Sequence, residues 1–334
     1  MKKNLALLFG LVLVMSLFTA CSSGGGKAKT GLAVVTSTDH SSKDAGEEDG
    51  LAQADSTVAA VIVDSKGVIT NVKFDVLQTK TKFNAAGELT TDAAATFDSK
   101  EMLGEAYGMR KASPIGKEWF EQADALAEYV TGKTLKEVQG IALDGGYPTA
   151  SDLTSSVTMN ISDMISAVEK AVNNAQDLGA SADDKLGLGL VGNLHKSTKN
   201  ASAEGDGAAT AYNHYAAVTF NKDSKITSSI IDASQATVNF SVEGKITTDL
   251  ANEVYETKLE LGDRYDMKKA SGIGKEWFEQ SKGFSDYIAG KTVAEVTGIA
   301  VDGGYPSAAD LTSSVTMSIT DMQTAVERAG ANAK

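Results

Sequence analysis

The hydrophobic pattern of the chain changes its period from the first part of the sequence to the second. Residues 58–63 and 68–77 are rich in β-branched and apolar side chains, and they flank a DSKG turn sequence at residues 64–67. A second turn sequence, NAAG, follows at residues 84–87. This pattern predicts strands joined as an antiparallel meander.

After residue 118 the apolar residues recur at helical spacing. One helix face is formed by Trp119, Ala123, Leu126 and Val130, and Gly132 provides a stop signal. Capping boxes at residues 134–137 and 292–295 predict a second, short helix, and an amphipathic stretch from about residue 160 to 172 predicts a third. Strands followed by helices predict an α+β fold, with helices packed on a mostly antiparallel sheet.

The same pattern occurs twice. Residues 109–171 match residues 267–329 without a gap, and weaker similarity relates residues 87–92 to 244–249 and Gly31-Leu32 to Gly187-Leu188. Each unit is long enough to bury a core and fold independently. The repeat predicts a first domain over residues 30–172, a polar hinge or linker over 173–184, and a second domain over 185–334.

The first residues of the chain are typical of a signal peptide. Lys2 and Lys3 precede an apolar run over residues 5–18, which is short for a membrane-spanning helix. The LFTAC sequence at residues 17–21 resembles a bacterial lipobox, which implies a leader over 1–20, lipidation of Cys21 and a flexible tether over 21–29. The alternatives are a retained membrane helix or cleavage that leaves Cys21 unmodified.

Composition and net charge restrict the partners, the thiol chemistry and the metal sites that are expected. The net charge of −13 disfavours nucleic acid as a partner and anionic lipid as a docking surface, so membrane attachment falls to the acyl chains. Cys21 is the only cysteine, which leaves the mature chain without thiol chemistry. His40, His195 and His214 lack metal-ligand spacing, and we expect all three at the surface, with no metal site.

A glycine-tyrosine motif is nearly unchanged between the copies. It is DGGYP at residues 144–148 and 302–306, and its candidate site residues are Gly145, Gly146, Tyr147, Gly303, Gly304 and Tyr305. Paired glycines predict a turn whose backbone allows the close approach of a planar or phosphorylated group. The alternative is a tight turn that was duplicated with the rest of the unit.

The segments that follow, DLTSSVT at residues 152–158 and 310–316, resemble the flavinylation motif of FMN-binding domains: Asp, two variable residues, Ser or Thr, Gly, Ala, Thr. The resemblance implies that Thr158 and Thr316 each carry FMN through a phosphoester bond. A separate, magnesium-using FAD:protein FMN transferase would recognise Asp152, Ser155, Asp310 and Ser313. Ser156 and Ser314 are further candidate cofactor-binding residues of the motif.

Two positions of each motif depart from the pattern. Ser156 and Ser314 stand where glycine is usual, and valine stands where alanine is usual. The neighbouring hydroxyls of Thr154, Ser155 and Ser156 therefore remain alternative acceptors.

The lipobox, the duplication, the GKEWFEQ sequence at residues 116–122 and 274–280 and the flavinylation motif together resemble the pheromone lipoproteins (PplA-like) of Gram-positive bacteria. The resemblance implies two tandem FMN-binding domains, lipid-anchored on the extracellular face of the cell membrane. They would relay electrons from a membrane quinol pool, fed by a NADH dehydrogenase, to ferric iron or soluble flavins. The leader would also supply a peptide pheromone.

By this resemblance the protein is an electron-transfer flavoprotein rather than a substrate-specific enzyme, with ferric reduction as the enzymatic activity it allows. The alternative is a surface lipoprotein that acts as a binding module without covalent flavin. Trp119 and Trp277 fit either flavin stacking or the core, and their place on an apolar helix face favours the core.

Overall fold

The computed structural model of the protein describes residues 26–334. The predicted leader and Cys21 lie outside the described residues. No helix within residues 26–334 is both long and apolar enough to cross a membrane.

The described chain consists of two halves with the same order of main elements. The first half contains β1 (Ala28–Ser37), β2 (Gly50–Asp64), β3 (Ile69–Phe83), β4 (Thr96–Phe97), α1 (Lys100–Leu103), α2 (Trp119–Val130), α3 (Leu135–Gln139), β5 (Leu143–Asp144), β6 (Tyr147–Pro148), α4 (Ser151–Thr154) and α5 (Ser162–Asn173). The second half contains β7 (Lys185–Leu194), β8 (Gly207–Phe220), β9 (Ile226–Phe240), α6 (Lys258–Leu261), α7 (Trp277–Ile288), α8 (Val293–Thr297), β10 (Val301–Asp302), β11 (Tyr305–Pro306), α9 (Ala309–Thr312) and α10 (Thr320–Ala331).

Both halves are mixed α and β, with helices packed on an antiparallel sheet, as the hydrophobic pattern predicts. Strands β1, β2 and β3 form one sheet in that order, and β7, β8 and β9 form the other, with the short β4 added at the edge of β7. The predicted turns, helices and capping boxes are confirmed. Strand β1 was not predicted, and its first two residues, Ala28 and Lys29, were wrongly assigned to the tether.

The two sheets have the same register. Val61 pairs with Gly31 on β1 and Val72 on β3, and Val218 pairs with Gly187 and Ser229 in the same way. The weak sequence match between Gly31 and Gly187 is therefore a true structural equivalence.

These two glycines permit close packing of a helix on each sheet. A Cβ atom on Gly31 would lie 2.0 Å from the carbonyl oxygen of Ala171 on α5, and one on Gly187 would lie 2.0 Å from that of Ala329 on α10. Such distances are far inside van der Waals contact, so only glycine allows this approach.

The sheets pack face to face and carry the helices on their outer faces. The inner faces share one apolar core, which includes Leu32, Val58, Leu77, Leu188, Tyr215 and Ala217. Helices α2 and α5 cover the outer face of the first sheet, and α7 and α10 cover that of the second. Trp119 and Trp277 are 4% and 3% exposed, which confirms their place in these outer cores.

Contacts between the halves are reciprocal. The rings of Phe83 and Phe240, which end β3 and β9, stack with centroids 4.2 Å apart. Ala45 N–H donates to the Gly244 carbonyl, and Ala201 N–H donates to the Gly87 carbonyl. The halves therefore meet like the subunits of a twofold dimer, although they belong to one chain.

The segment over residues 173–184, expected to be a hinge, is attached to the first sheet. Gln176 exchanges two backbone hydrogen bonds with Thr30, and Ala28 N–H donates to the Ala180 carbonyl. These bonds, together with the shared core, hold the two halves as neighbouring layers. The shared core also means that one half alone would expose an apolar sheet face.

Candidate functional site

Thr158 and Thr316 lie in equivalent loops, between α4 and α5 and between α9 and α10. The backbone N–H of Thr158 donates to Oε1 of Gln122 at 2.8 Å, and its hydroxyl reaches the same oxygen at 3.4 Å. Thr316 makes the same pair of contacts to Gln280, at 2.8 and 3.3 Å. Both threonines are partly exposed. Each hydroxyl is thus held in a defined position and remains accessible.

The two glutamines are themselves fixed. Nε2 of Gln122 donates to Ser113 Oγ at 3.1 Å and to the Lys117 carbonyl at 3.4 Å, and the Gln280 amide does the same with Ser271 and Lys275. Both glutamines are buried. With the amide nitrogen directed to these acceptors, the amide oxygen is left to orient the threonine.

A buried glutamate one turn earlier holds the loop that precedes each of these helices. Glu118 accepts hydrogen bonds from the backbone N–H groups of Met109 and Arg110, at 2.8 and 2.9 Å. Glu276 holds the backbone of residues 267 and 268 in the same way. The GKEWFEQ sequence therefore contains a loop-holding glutamate, a core tryptophan and a threonine-holding glutamine.

Some of the remaining motif residues are buried in the core, and the others are exposed or partly exposed to solvent. Leu153 and Val157 are buried, and so are their counterparts Leu311 and Val315. The valine that departs from the family pattern is thus a core residue. The exposed or partly exposed motif residues are Asp152, Thr154, Ser155, Ser156, Asp310, Ser313 and Ser314.

The acidic residue of each motif lies next to a tyrosine. Tyr287 donates to Asp310 Oδ1 at 3.4 Å. Burial and, after it, the neighbouring Asp152 carboxylate raise the pKa of Tyr129, the equivalent tyrosine of the first half.

The glycine turn packs against the segment that follows the threonine. Gly146 has a φ of +89°, and a Cβ atom there would lie 2.4 Å from the side-chain amide of Asn160. Asn160 also donates to the Gly145 carbonyl at 3.1 Å. Gly304 meets Ser318 in the same way, whereas Gly145 and Gly303 face open space. At Gly146 and Gly304, the group that closely approaches the glycine backbone is therefore a side chain of the protein and not the ligand that the sequence predicts.

A cleft of about 510 Å³ lies in the first half, next to the segment that follows Thr158, and Thr158 itself does not line it. Its walls include Lys100, Trp119, Tyr147, Asn160 and Met164, and Asp55 of β2 lies at one side. Asn160 follows Thr158 by two residues, and Trp119 is one helical turn from Gln122. Tyr147 is 52% exposed at the rim. Asp163 lines the cleft as well, so aromatic and apolar surface stands beside one lysine and two carboxylates, and the volume is large enough for a planar ring.

The equivalent region of the second half contains protein side chains. Tyr212 takes the strand position of Asp55, because Asp55 pairs with Gln78 and Tyr212 pairs with the equivalent Gln235. Lys258, the counterpart of Lys100, donates to the Tyr212 hydroxyl at 2.8 Å.

The rings around Lys258 form a cage. Its Nζ atom lies 4.4 Å from the ring centroid of Tyr212, 4.5 Å from that of Tyr265 and 5.2 Å from that of Trp277. Burial lowers the pKa of Lys258 to about 7, and burial followed by repulsion from Tyr265 and Asp321 raises the pKa of Tyr212.

His214 corrects the expectation that all three histidines lie at the surface. It is 4% exposed, and its ring lies 4.5 Å from that of Tyr212. Burial, with a smaller effect of Lys258, lowers the pKa of His214 to about 3. The ring is therefore neutral at pH 7, and its 3.5 Å approach to Asp321 is not an ion pair. His40 is exposed and His195 is partly exposed.

Two other observations concern metal ligands and cavities. Among residues 26–334, no cluster of three or more histidine, cysteine, aspartate or glutamate side chains is placed to hold a metal ion. A second cavity, of about 190 Å³, lies between Leu178 and Phe278 of α7, and its lining includes no residue of the threonine motifs.

Part of the chain is similar to a known reductase. No family model and no solved structure matches the chain. A chlorophenol reductase of Desulfitobacterium hafniense is 34% identical over 94 residues, which cover 25% of this chain and 29% of that protein. The chain thus matches less than a third of the length of this relative.

Proposed function

We propose that the protein is a membrane-anchored extracellular electron carrier with FMN bound covalently at Thr158 and Thr316. The observation that carries this proposal is the repeated threonine–glutamine contact. In both halves a partly exposed hydroxyl is oriented by a buried amide whose other contacts are also repeated. Two acceptors prepared in the same way are what a modifying enzyme would require.

The surroundings of the threonines fit this modification. Asp152 and Ser155 are exposed on the same short segment, within reach of a transferase. Thr158 Oγ1 would attack the FMN phosphorus of FAD, and the pyrophosphate bond would break to release AMP while the transferase takes the hydroxyl proton. Gln122 orients the hydroxyl, but it is not a base and does not take the proton.

The electron chemistry belongs to the flavin, which takes up two electrons and can release them singly. The chain supplies the attachment point, the cleft of the first half and, at Lys100, a positive charge that favours electron-rich states of a ring. Electrons would come from a membrane quinol pool fed by a NADH dehydrogenase. Ferric iron or soluble flavins would accept them.

One comparison supports a redox role: the relative that matches a quarter of the chain is by its name a reductase. Attachment to the membrane at Cys21 is proposed from the sequence alone.

The proposal is tested by intact mass. The chain from Ser22 onward is produced with and without the transferase, as the unchanged protein and as Thr158→Val, Thr316→Val and the double variant. We expect two, one, one and no FMN-sized mass increments, with yellow colour that survives denaturation. Thr154→Val and Ser156→Ala serve as controls for the neighbouring hydroxyls and should retain both increments.

Retention of both increments in the double variant would exclude these threonines as acceptors. A colourless, unmodified chain in the presence of an active transferase would favour the binding-module alternative.

A further inference from the structure

The two halves hold their threonines in the same way but differ in a nearby cleft. In the first half Asp55 and Thr57 occupy two neighbouring outward positions of β2, and a cleft of about 510 Å³ remains. The equivalent positions of β8 are occupied by Tyr212 and His214.

The Tyr212 side chain lies in the region of the second half that corresponds to the cleft of the first half. Its ring centroid lies 4.4 Å from Lys258 Nζ and 4.5 Å from the ring of His214. Its hydroxyl accepts the 2.8 Å hydrogen bond from Lys258, and His195 meets its ring edge to face at 5.2 Å. The ring thus has three neighbours, and these contacts favour its position.

The walls around this ring are common to both halves. Lys100 Nζ lies 4.8 Å from the ring centroid of Tyr107 and 5.5 Å from that of Trp119, as Lys258 lies near Tyr265 and Trp277. The first half therefore has the same lysine and aromatic walls without a ring between them.

We propose that the cleft of the first half receives the flavin ring attached at Thr158, whereas Tyr212 closes the second cleft and leaves the ring at Thr316 in solvent. The identity of the ring rests on the proposed function. The difference between the clefts rests on the structure alone. Soluble acceptors would then reach the second flavin more easily than the first.

The test uses two proteins that each carry one flavin, Thr316→Val for the first site and Thr158→Val for the second. Quenching of flavin fluorescence by iodide reports how much of the ring solvent reaches. We expect a quenching constant several-fold lower for the first site than for the second, and the second should resemble free FMN.

Exchange of the cleft residues provides the matched control. In the Thr158→Val protein, Tyr212→Asp with His214→Thr should open the second cleft and lower the quenching constant toward that of the first site. In the Thr316→Val protein, Asp55→Tyr should close the first cleft and raise it. Tyr212→Ala is a second opening variant, and far-UV circular dichroism verifies the fold of each protein.

Equal quenching of the two single-flavin proteins, or quenching that does not respond to these exchanges, would overturn the inference. Failure of the proposed function is seen separately, as the absence of the FMN mass increment. In that case the unmodified chain is titrated with free FMN. Binding of one equivalent of FMN by the unchanged chain would still support the inference if Asp55→Tyr abolishes this binding and Tyr212→Asp with His214→Thr adds a second equivalent. No binding, or two equivalents bound by the unchanged chain, would refute it.

Discussion

The cleft of the first half and the Tyr212 region of the second half are built on the same framework and differ in what lies between its walls. The lysine, the walls formed by Tyr107 and Trp119, and the glutamine-held threonine occur in both halves. The difference comes from two positions of the second strand, where Asp55 and Thr57 are replaced by Tyr212 and His214.

This difference shows that a repeated motif does not guarantee a repeated site. The nearly unchanged part of the repeat, residues 109–171 and 267–329, builds the helices and the threonine loops. The strands have diverged, and they decide whether the cleft is open. A carrier with one sheltered and one exposed ring could hold electrons at one site and deliver them from the other.

The largest effect that separates the halves is expected from the titration of His214. Its pKa of about 3 in the folded protein lies below the ordinary histidine value near 6.5, so the unfolded chain binds more protons between these values. Stability is therefore lost as the pH falls below about 6.5, by roughly 1.4 kcal/mol per pH unit. His214→Thr, which installs the first-half residue, should remove this loss, about 3 kcal/mol between pH 6 and 4.

Urea unfolding of both proteins at a series of pH values measures this difference. The groups that face the ring, Asp321, Lys258 and Tyr212, are present in both proteins. Burial raises the pKa of Asp75 and of Asp232 to about 7, which gives the opposite pH dependence, but this contribution cancels in the comparison. Parallel pH profiles for the two proteins would show that His214 is not the neutral, buried group described above.

A smaller difference between the halves, about 2 kcal/mol, is expected when truncation of Tyr212 is compared with truncation of Asp55. Tyr212→Ala takes away an aromatic side chain packed against Lys258 and His214, and we expect a loss of about 3 kcal/mol in the free energy of unfolding. Asp55→Ala at the equivalent position loses hydrogen bonds from Gln53 and Gln78 and the 3.9 Å approach of the exposed His40, for about 1 kcal/mol. Chemical denaturation of the two variants at pH 7 gives both values.

Tyr212→Phe separates packing from hydrogen bonding. It retains the ring and loses the bond from Lys258, so we expect a loss of about 1 kcal/mol. If the losses for Tyr212→Ala and Asp55→Ala were equal, Tyr212 would not be the packed occupant of its cleft.

Local signals predicted much of the fold. The turns after β2 and β3, the helix beginning at Trp119 and the capping boxes at Thr134 and Thr292 depend on residues close in sequence, and all are present. The stacked sheets were not predicted, because β2 and β8 are covered on both faces and therefore lack simple alternation of polar and apolar residues.

The candidate site was predicted only in part. The sequence indicated the threonines and the glycine turns, but not Gln122 or Gln280, which reach Thr158 and Thr316 across a long stretch of chain. A signal was present, because these polar residues belong to an identical seven-residue sequence in both copies. The burial of His214 had no such signal, since it depends on the packing of α10 and α6 around β8.

The smallest difference between the halves is expected at the two glycines where α5 and α10 approach the sheets. Gly31→Ala and Gly187→Ala each place a methyl group 2.0 Å from a helix carbonyl oxygen, at Ala171 and Ala329, so the helix must move away from the sheet. Each substitution should lower the free energy of unfolding by about 2 kcal/mol, and the two values should agree within about 0.5 kcal/mol. Urea denaturation measures both, with Gly272→Ala as a control for a glycine that has open space around it and no positive φ. Unequal losses would mean that the halves differ in their framework as well as in their clefts, whereas equal losses would confine the difference to the residues around Tyr212.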